Sequence, residues 1–192
     1  QAATLIIGGN NLGENRFGQT LADNGTGALS LQKTGTGLWI LGASQVGAST
    51  NSYSGRTTIF SGTVAVENDH AFGAAGGDPV QLLGGNLDLR GVNYSTLEDL
   101  SIAGGKVRVL EGTGNSSWAG KVRLDSNATV EVGRGGFLQL TGAISGSGAL
   151  RKEGFGTLVI SGANTYLGST TVAEGALRVD YTANNPKKLA NA

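Results

Sequence analysis

The chain has 192 residues, of which 34 are glycine, two are proline and none is cysteine or methionine, and its 14 basic side chains cancel 14 acidic ones. Glycine at about 18%, against a usual 7%, with no collagen period and almost no proline, argues against a triple helix and against a disordered segment. The missing cysteine excludes disulfides and thiolate metal sites; no concentrated basic face marks a nucleic-acid partner, and no apolar run is long enough for a spanning helix.

Leu5, Ile6 and Ile7 form the first apolar run, closed by the turn signal of Gly8, Gly9, Asn10 and Asn11. Residues 10–27 are polar and weakly patterned, so 1–27 is expected to be an irregular N-terminal rung or loop. From Ala28 a rhythm sets in. Leu29/Leu31, Leu38/Ile40, Val64/Val66, Val80/Leu82, Leu87/Leu89 and Leu100/Ile102 alternate with polar neighbours. Val107/Val109, Val122/Leu124, Val130/Val132, Leu138/Leu140, Leu158/Ile160 and Leu177/Val179 continue it to residue 180. Period two places one apolar row on one face of a strand, and glycine clusters between the pairs supply the turns. Each strand is too short to bury its row alone and needs a stacked neighbour. About fifteen such pieces in rungs of about 20–25 residues predict eight or nine rungs and a rod about 40 Å long. Residues 181–192 break the rhythm and read as a tail or linker. With no methionine at position 1, the chain is expected to be an excised or processed piece.

The chain also repeats itself. Lys33, Gly35, Gly37, Trp39 and Leu41 correspond to Lys152, Gly154, Gly156, Leu158 and Ile160. Asn51, Tyr53, Thr57, Thr58, Gly62, Val64 and Val66 then correspond to Asn164, Tyr166, Thr170, Thr171, Gly175, Leu177 and Val179. Residues 44–50 are an insertion between the halves of the first copy, as expected of a loop on one face. A β-sandwich also suits short strands and regular turns, but it does not ordinarily reuse one strand–turn unit in the same order a hundred residues later. The repeat predicts an all-β parallel solenoid.

At these residues the sequence resembles the passenger domains of bacterial autotransporters, the type V secretion systems. Gly154, Gly156, Leu158, Ile160, Gly162, Asn164, Tyr166, Gly168, Thr171, Val172, Gly175, Leu177 and Val179 resemble the passenger-associated transport repeat, and residues 33–66 resemble an interrupted copy of the one at 148–179. The resemblance implies a right-handed parallel β-helix over 28–180, displayed on the bacterial surface or secreted, serving as adhesin scaffold or stalk. It implies the protein's own outer-membrane β-barrel as a partner, a host receptor, matrix protein or glycan as ligand, self-association, and a C-terminal segment that promotes passenger folding and secretion.

No catalytic, cofactor or metal site is expected. Glu67, Asp69, His70 and Asp78 group a carboxylate with an imidazole, but an ordinary solvated turn explains them as well. The competing enzyme class is a secreted β-helical polysaccharide lyase or hydrolase, for which Asp88, Arg90, Lys106, Arg108, Lys121, Arg123, Glu131 and Arg178 are outward charges. Among them Lys106, Arg108, Lys121 and Arg123 are the candidate basic strip for an anionic glycan, against the plainer reading of a solvated charged face. Trp118, in a polar glycine-rich stretch, is the better ligand candidate among the aromatics, against the reading that it packs onto the solenoid. Gly35–Gly37 and Gly154–Gly156 lack the lysine, hydroxyl and helix of a phosphate loop and are read as tight turns. The glycosylation-like triplets at Asn24, Asn93, Asn115 and Asn127 are read as chance.

Overall fold

The computed structural model describes residues 1–42, 50–180 and 189. The insertion at 44–50, except Thr50, and the tail at 181–192, except Leu189, lie outside the described residues. The remainder is a parallel β-helix of about eight turns. Its first turn holds β1 (Ala3–Ile7) and β2 (Glu14–Phe17), the second β3 (Leu29–Lys33) and β4 (Leu38–Leu41), and the third β5 (Thr57–Ile59) and β6 (Thr63–Val66). In the fourth turn a third side becomes a strand: β7 (Val80–Leu82), β8 (Asn86–Leu89) and β9 (Asn93–Tyr94). Two complete three-strand turns follow, β10 (Leu100–Ile102), β11 (Lys106–Val109), β12 (Ser116–Trp118), then β13 (Val122–Leu124), β14 (Ala128–Val132), β15 (Phe137–Leu140). The last two turns carry β16 (Ile144–Gly146), β17 (Leu150–Glu153), β18 (Thr157–Ile160), then β19 (Thr170–Val172) and β20 (Ala176–Val179).

Successive turns stack in register, so the strands form three sheets of seven, eight and five strands in which β1, β2 and β9 begin the first, second and third. Every strand pairing among the described residues is parallel. Parallel strands cannot be joined by tight hairpins, and here the rest of each turn supplies the crossover. The polar stretch 10–27 still donates β2, pairing Glu14 with Leu38 and Phe17 with Leu41. Its alternation is hidden because only Asn15 and Phe17 of β2 fall on the partly buried side.

Most of the alternating aliphatics line the interior as columns. In β4 it is Trp39 and Leu41 that face inward with Val64 and Val66, while Leu38 and Ile40 stand in the outer row with Glu14 and Arg16. A strand apolar at every position leaves its phase open. Val80, Leu100, Val122 and Ile144 stack in the first sheet; Val64, Leu87, Val107 and Val130 in the second; Leu138, Leu158 and Leu177 in the third. Nearly all are fully buried and belong to one continuous core. Leu177 and Val179, on the last turn, are only partly buried, because nothing described stacks beyond β20. Burying such a side chain contributes roughly 1.5–3 kcal/mol, which opposes the entropy of ordering a chain this rich in glycine.

Candidate functional site

The two repeats are built from the same side-chain devices. Lys33 and Lys152 point into the core and are wholly buried. The Lys33 Nζ donates to the main-chain oxygens of Thr34 (2.6 Å), Gly35 (2.8 Å) and Ser61 (3.3 Å). Lys152 donates likewise to Glu153 (2.7 Å), Gly154 (2.6 Å) and Glu174 (3.3 Å). Each ammonium thus ties the glycine turn after its own strand to the following turn of the helix, and burial lowers both pKa values. Gly62 makes room for it: its φ is 69°, and a Cβ there would lie 2.5 Å from the Lys33 Nζ. Gly175, at φ 68°, is its counterpart in the second repeat, where a Cβ would lie 2.4 Å from the main-chain oxygens of Gly154 and Gly156. These lysines are missed by patterning: they continue the inward phase of Leu31 and Leu150, but their charge and their polar neighbours make the positions read as outward. Lys152→Met should lose about 2 kcal/mol, because the carbonyls keep their place but lose their donor. Chemical denaturation of the purified chain measures it.

The second half of each repeat is equally matched. The Asn51 Oδ1 accepts the Leu21 N–H at 2.9 Å while its Nδ2 donates to Ala71 O at 2.7 Å, so one amide spans three turns. The Asn164 Oδ1 accepts the Ile144 N–H at 2.9 Å. Tyr53 and Tyr166 are buried, and their hydroxyls meet those of Thr57 (2.6 Å) and Thr170 (2.5 Å). Gly156, Gly162 and Gly168 each run against the turn below, where a Cβ would come within 2.2–2.4 Å of main chain. Leu158 and Ile160 are fully buried, whereas Thr171 faces solvent and Val172 is 46% exposed beside the end of the helix.

The copies nevertheless sit on different faces. Lys33 lies in the first sheet and Lys152 in the second; Trp39 lies in the second and Leu158 in the third. A module that begins one strand later in a three-sided turn is rotated by one side. What recurs is the corner chemistry and its link to the adjoining turns.

The remaining candidates separate in space. Trp118 is not in a loop: it ends β12 and points inward, 1% exposed, between Tyr94 and Leu140 in the register. Its ring stacks on Tyr94 with centroids 4.5 Å apart, so it is core and offers no ligand a face. Lys106 and Arg108 lie on the second sheet and Arg123 on the first, so the four cations form no single strip. Lys106 is bound by Glu153 (2.7 Å) and Glu131 (3.2 Å). Arg108 grips Asp88 through two contacts, at 2.6 and 3.0 Å. Asp88 is buried although its position is outward, and burial raises its pKa against the pull of Arg108. Further along this face Arg16 and Arg90 share Glu14 and Glu67. The Arg90 and Arg16 guanidiniums hold the Glu14 carboxyl below its usual range. The outer surface of the second sheet is closed by ion pairs.

The carboxylate–imidazole group is a turn clamp. Burial would raise the Asp69 pKa, but hydrogen bonds from the Ser95 hydroxyl, the Thr96 hydroxyl and N–H and the His70 N–H hold it at about 2. His70 itself takes a left-handed φ of 62°, with Nδ1 3.2 Å from the Thr96 hydroxyl. Among the described residues no three His, Cys, Asp or Glu are grouped to hold a metal ion.

A family model of the passenger-associated transport repeat matches residues 31–66 and 150–179, the two segments that share these corner devices. The adhesin BmaC autotransporter of Brucella suis biovar 1 (strain 1330) is 33% identical over 153 residues, 79% of this chain. The chain belongs to the autotransporter passenger domains. It spans about 4% of the length of that relative. No solved structure matches it. Within the passenger segment, the transport repeat is a pair of buried corners, one set by lysine and glycine and the other by asparagine and tyrosine.

Proposed function

We propose that this passenger segment is a length of adhesin stalk on the bacterial surface, or released from it, whose C-terminal repeat promotes folding and secretion of the passenger. The observation that supports it is the second repeat, where β17 and β18 are fully integrated and β19 and β20 pair on one side only. In a solenoid, stability is a sum of intrinsic and nearest-neighbour terms, so a well-bonded repeat can hold while neighbouring turns form on it. On this reading the C-terminal repeat emerges first across the outer membrane, through the protein's own β-barrel, and templates the turns behind it. The adhesive part of the proposal draws on the name of the relative from Brucella suis. A host receptor, matrix protein or glycan is its ligand.

Deleting residues 145–179 from the full-length protein should strongly reduce the passenger displayed on intact cells while leaving the barrel in the membrane. Undiminished display would make these turns ordinary stalk.

A further inference from the structure

The outer face of the first sheet differs from the ion-paired second. It carries an open groove of about 390 Å³ whose lining includes Arg56, Gln81, Ser101, Lys121, Arg123 and Ser145. Register places Gln32, Thr58, Gln81, Ser101, Arg123 and Ser145 in one outward column, one per turn. Five of the six are hydroxyl or amide side chains at about the rung spacing of 4.8 Å, close to the length of one pyranose unit. Gln32, Gln81 and Ser145 are partly exposed, Thr58 and Ser101 are buried, and Arg123 holds the fifth place. Arg56 and Lys121 stand beside this column, exposed and three turns apart, hence about 14 Å along the axis. Neither has an ion-pair partner among the described residues.

The acidic groups lining the groove already have donors. Asp99 accepts the Lys121 N–H at 3.1 Å. Asp125 is held by Arg123 at 2.6 Å and by the Ser101 hydroxyl at 2.5 Å. The two unengaged cations and the partly exposed side chains of Gln32, Gln81 and Ser145 are what remains to meet a ligand.

We infer that this face binds a linear anionic polysaccharide, uronate or sulfate bearing, laid along the helix axis. The inference rests on the adhesin reading and gives it a ligand class. Sugar hydroxyls meet the Gln81 and Ser145 side chains, and the acidic groups meet Arg56 and Lys121. A glycan fits better than an acidic peptide: a peptide seeks unpaired strand edges, and this is the face of a sheet, with its main chain already paired.

The test uses the purified chain with labelled heparin and labelled polygalacturonate, dextran as the neutral control and poly-glutamate as the peptide control. Binding should be saturable, weaken with salt and be absent for dextran. Arg56→Gln with Lys121→Gln should weaken it about tenfold, the combined effect of two exposed charge contacts. Both residues are on the surface, so the fold should survive, which circular dichroism checks. Lys106→Gln, on the ion-paired face, should leave binding unchanged. Absence of binding, equal loss in Lys106→Gln, no loss in the double variant, or equally tight poly-glutamate binding would each overturn the site. Any of these would leave the passenger reading to stand or fall on display of the deletion.

Discussion

Replacing Leu158 with aspartate is expected to unfold the chain or cost it more than about 4 kcal/mol, one of the largest effects a single substitution produces. Leu158 has no exposed surface and stands in the third-sheet column between Leu138 and Leu177. A carboxylate there would meet aliphatic side chains above and below, with no described donor in the column. The same change at Leu177 should cost markedly less, because the last described turn leaves it only partly buried and water can reach the new charge. Urea titrations of both variants against the parent chain measure the contrast. Equal losses at the two positions would mean that the end of the helix is as well covered as its middle. A mild effect at Leu158 would place its side chain outside the core and undo the register of the third sheet.

The fold is legible in the sequence because burial in a parallel solenoid is written twice, as local alternation and as recurrence. Val107/Val109, Val130/Val132 and Leu158/Ile160 lie on the inner face as their period requires. The count of turns follows from rung length. Which sheet a strand joins is not local information. Lys106/Arg108 and Lys121/Arg123 look alike in sequence, yet one corner separates them and only the second sheet supplies Glu131 and Glu153. Trp118 misleads because Gly112 and Gly114, both at positive φ, make its surroundings read as a loop, while the alternation of Ser116 and Trp118 is too short to register. Lys33 and Lys152 are hidden for a different reason. Their partners are main-chain carbonyls, which no sequence pattern displays.

Glu98 carries the second large expectation, a loss of about 3 kcal/mol in stability as pH rises from about 4.5 to above 7. Its side chain is 2% exposed, and its Oε2 finds no hydrogen-bond partner among the described residues. Burial first, then the neighbouring charges of Asp99 and Asp78, push its pKa from the ordinary 4.5 up to about 7. The sign follows from which state holds the proton. Below pH 4.5 the carboxyl is protonated in both states and costs nothing. Between 4.5 and 7 the unfolded chain releases its proton while the folded one retains it, so stability falls, and above 7 the penalty is complete. Asp69 does not disturb this window, since its lowered pKa gives a stabilisation that disappears only as pH drops below 3.8 toward 2. Asp88, raised by burial, adds a decline of the same sign, so the difference between two proteins is the decisive quantity. Glu98→Gln keeps the volume and removes the charge. Its denaturation midpoint should exceed that of the parent chain at pH 8, and the advantage should vanish by pH 4. Parallel pH profiles for the two proteins would show that Glu98 ionises as freely in the folded helix as in the unfolded chain.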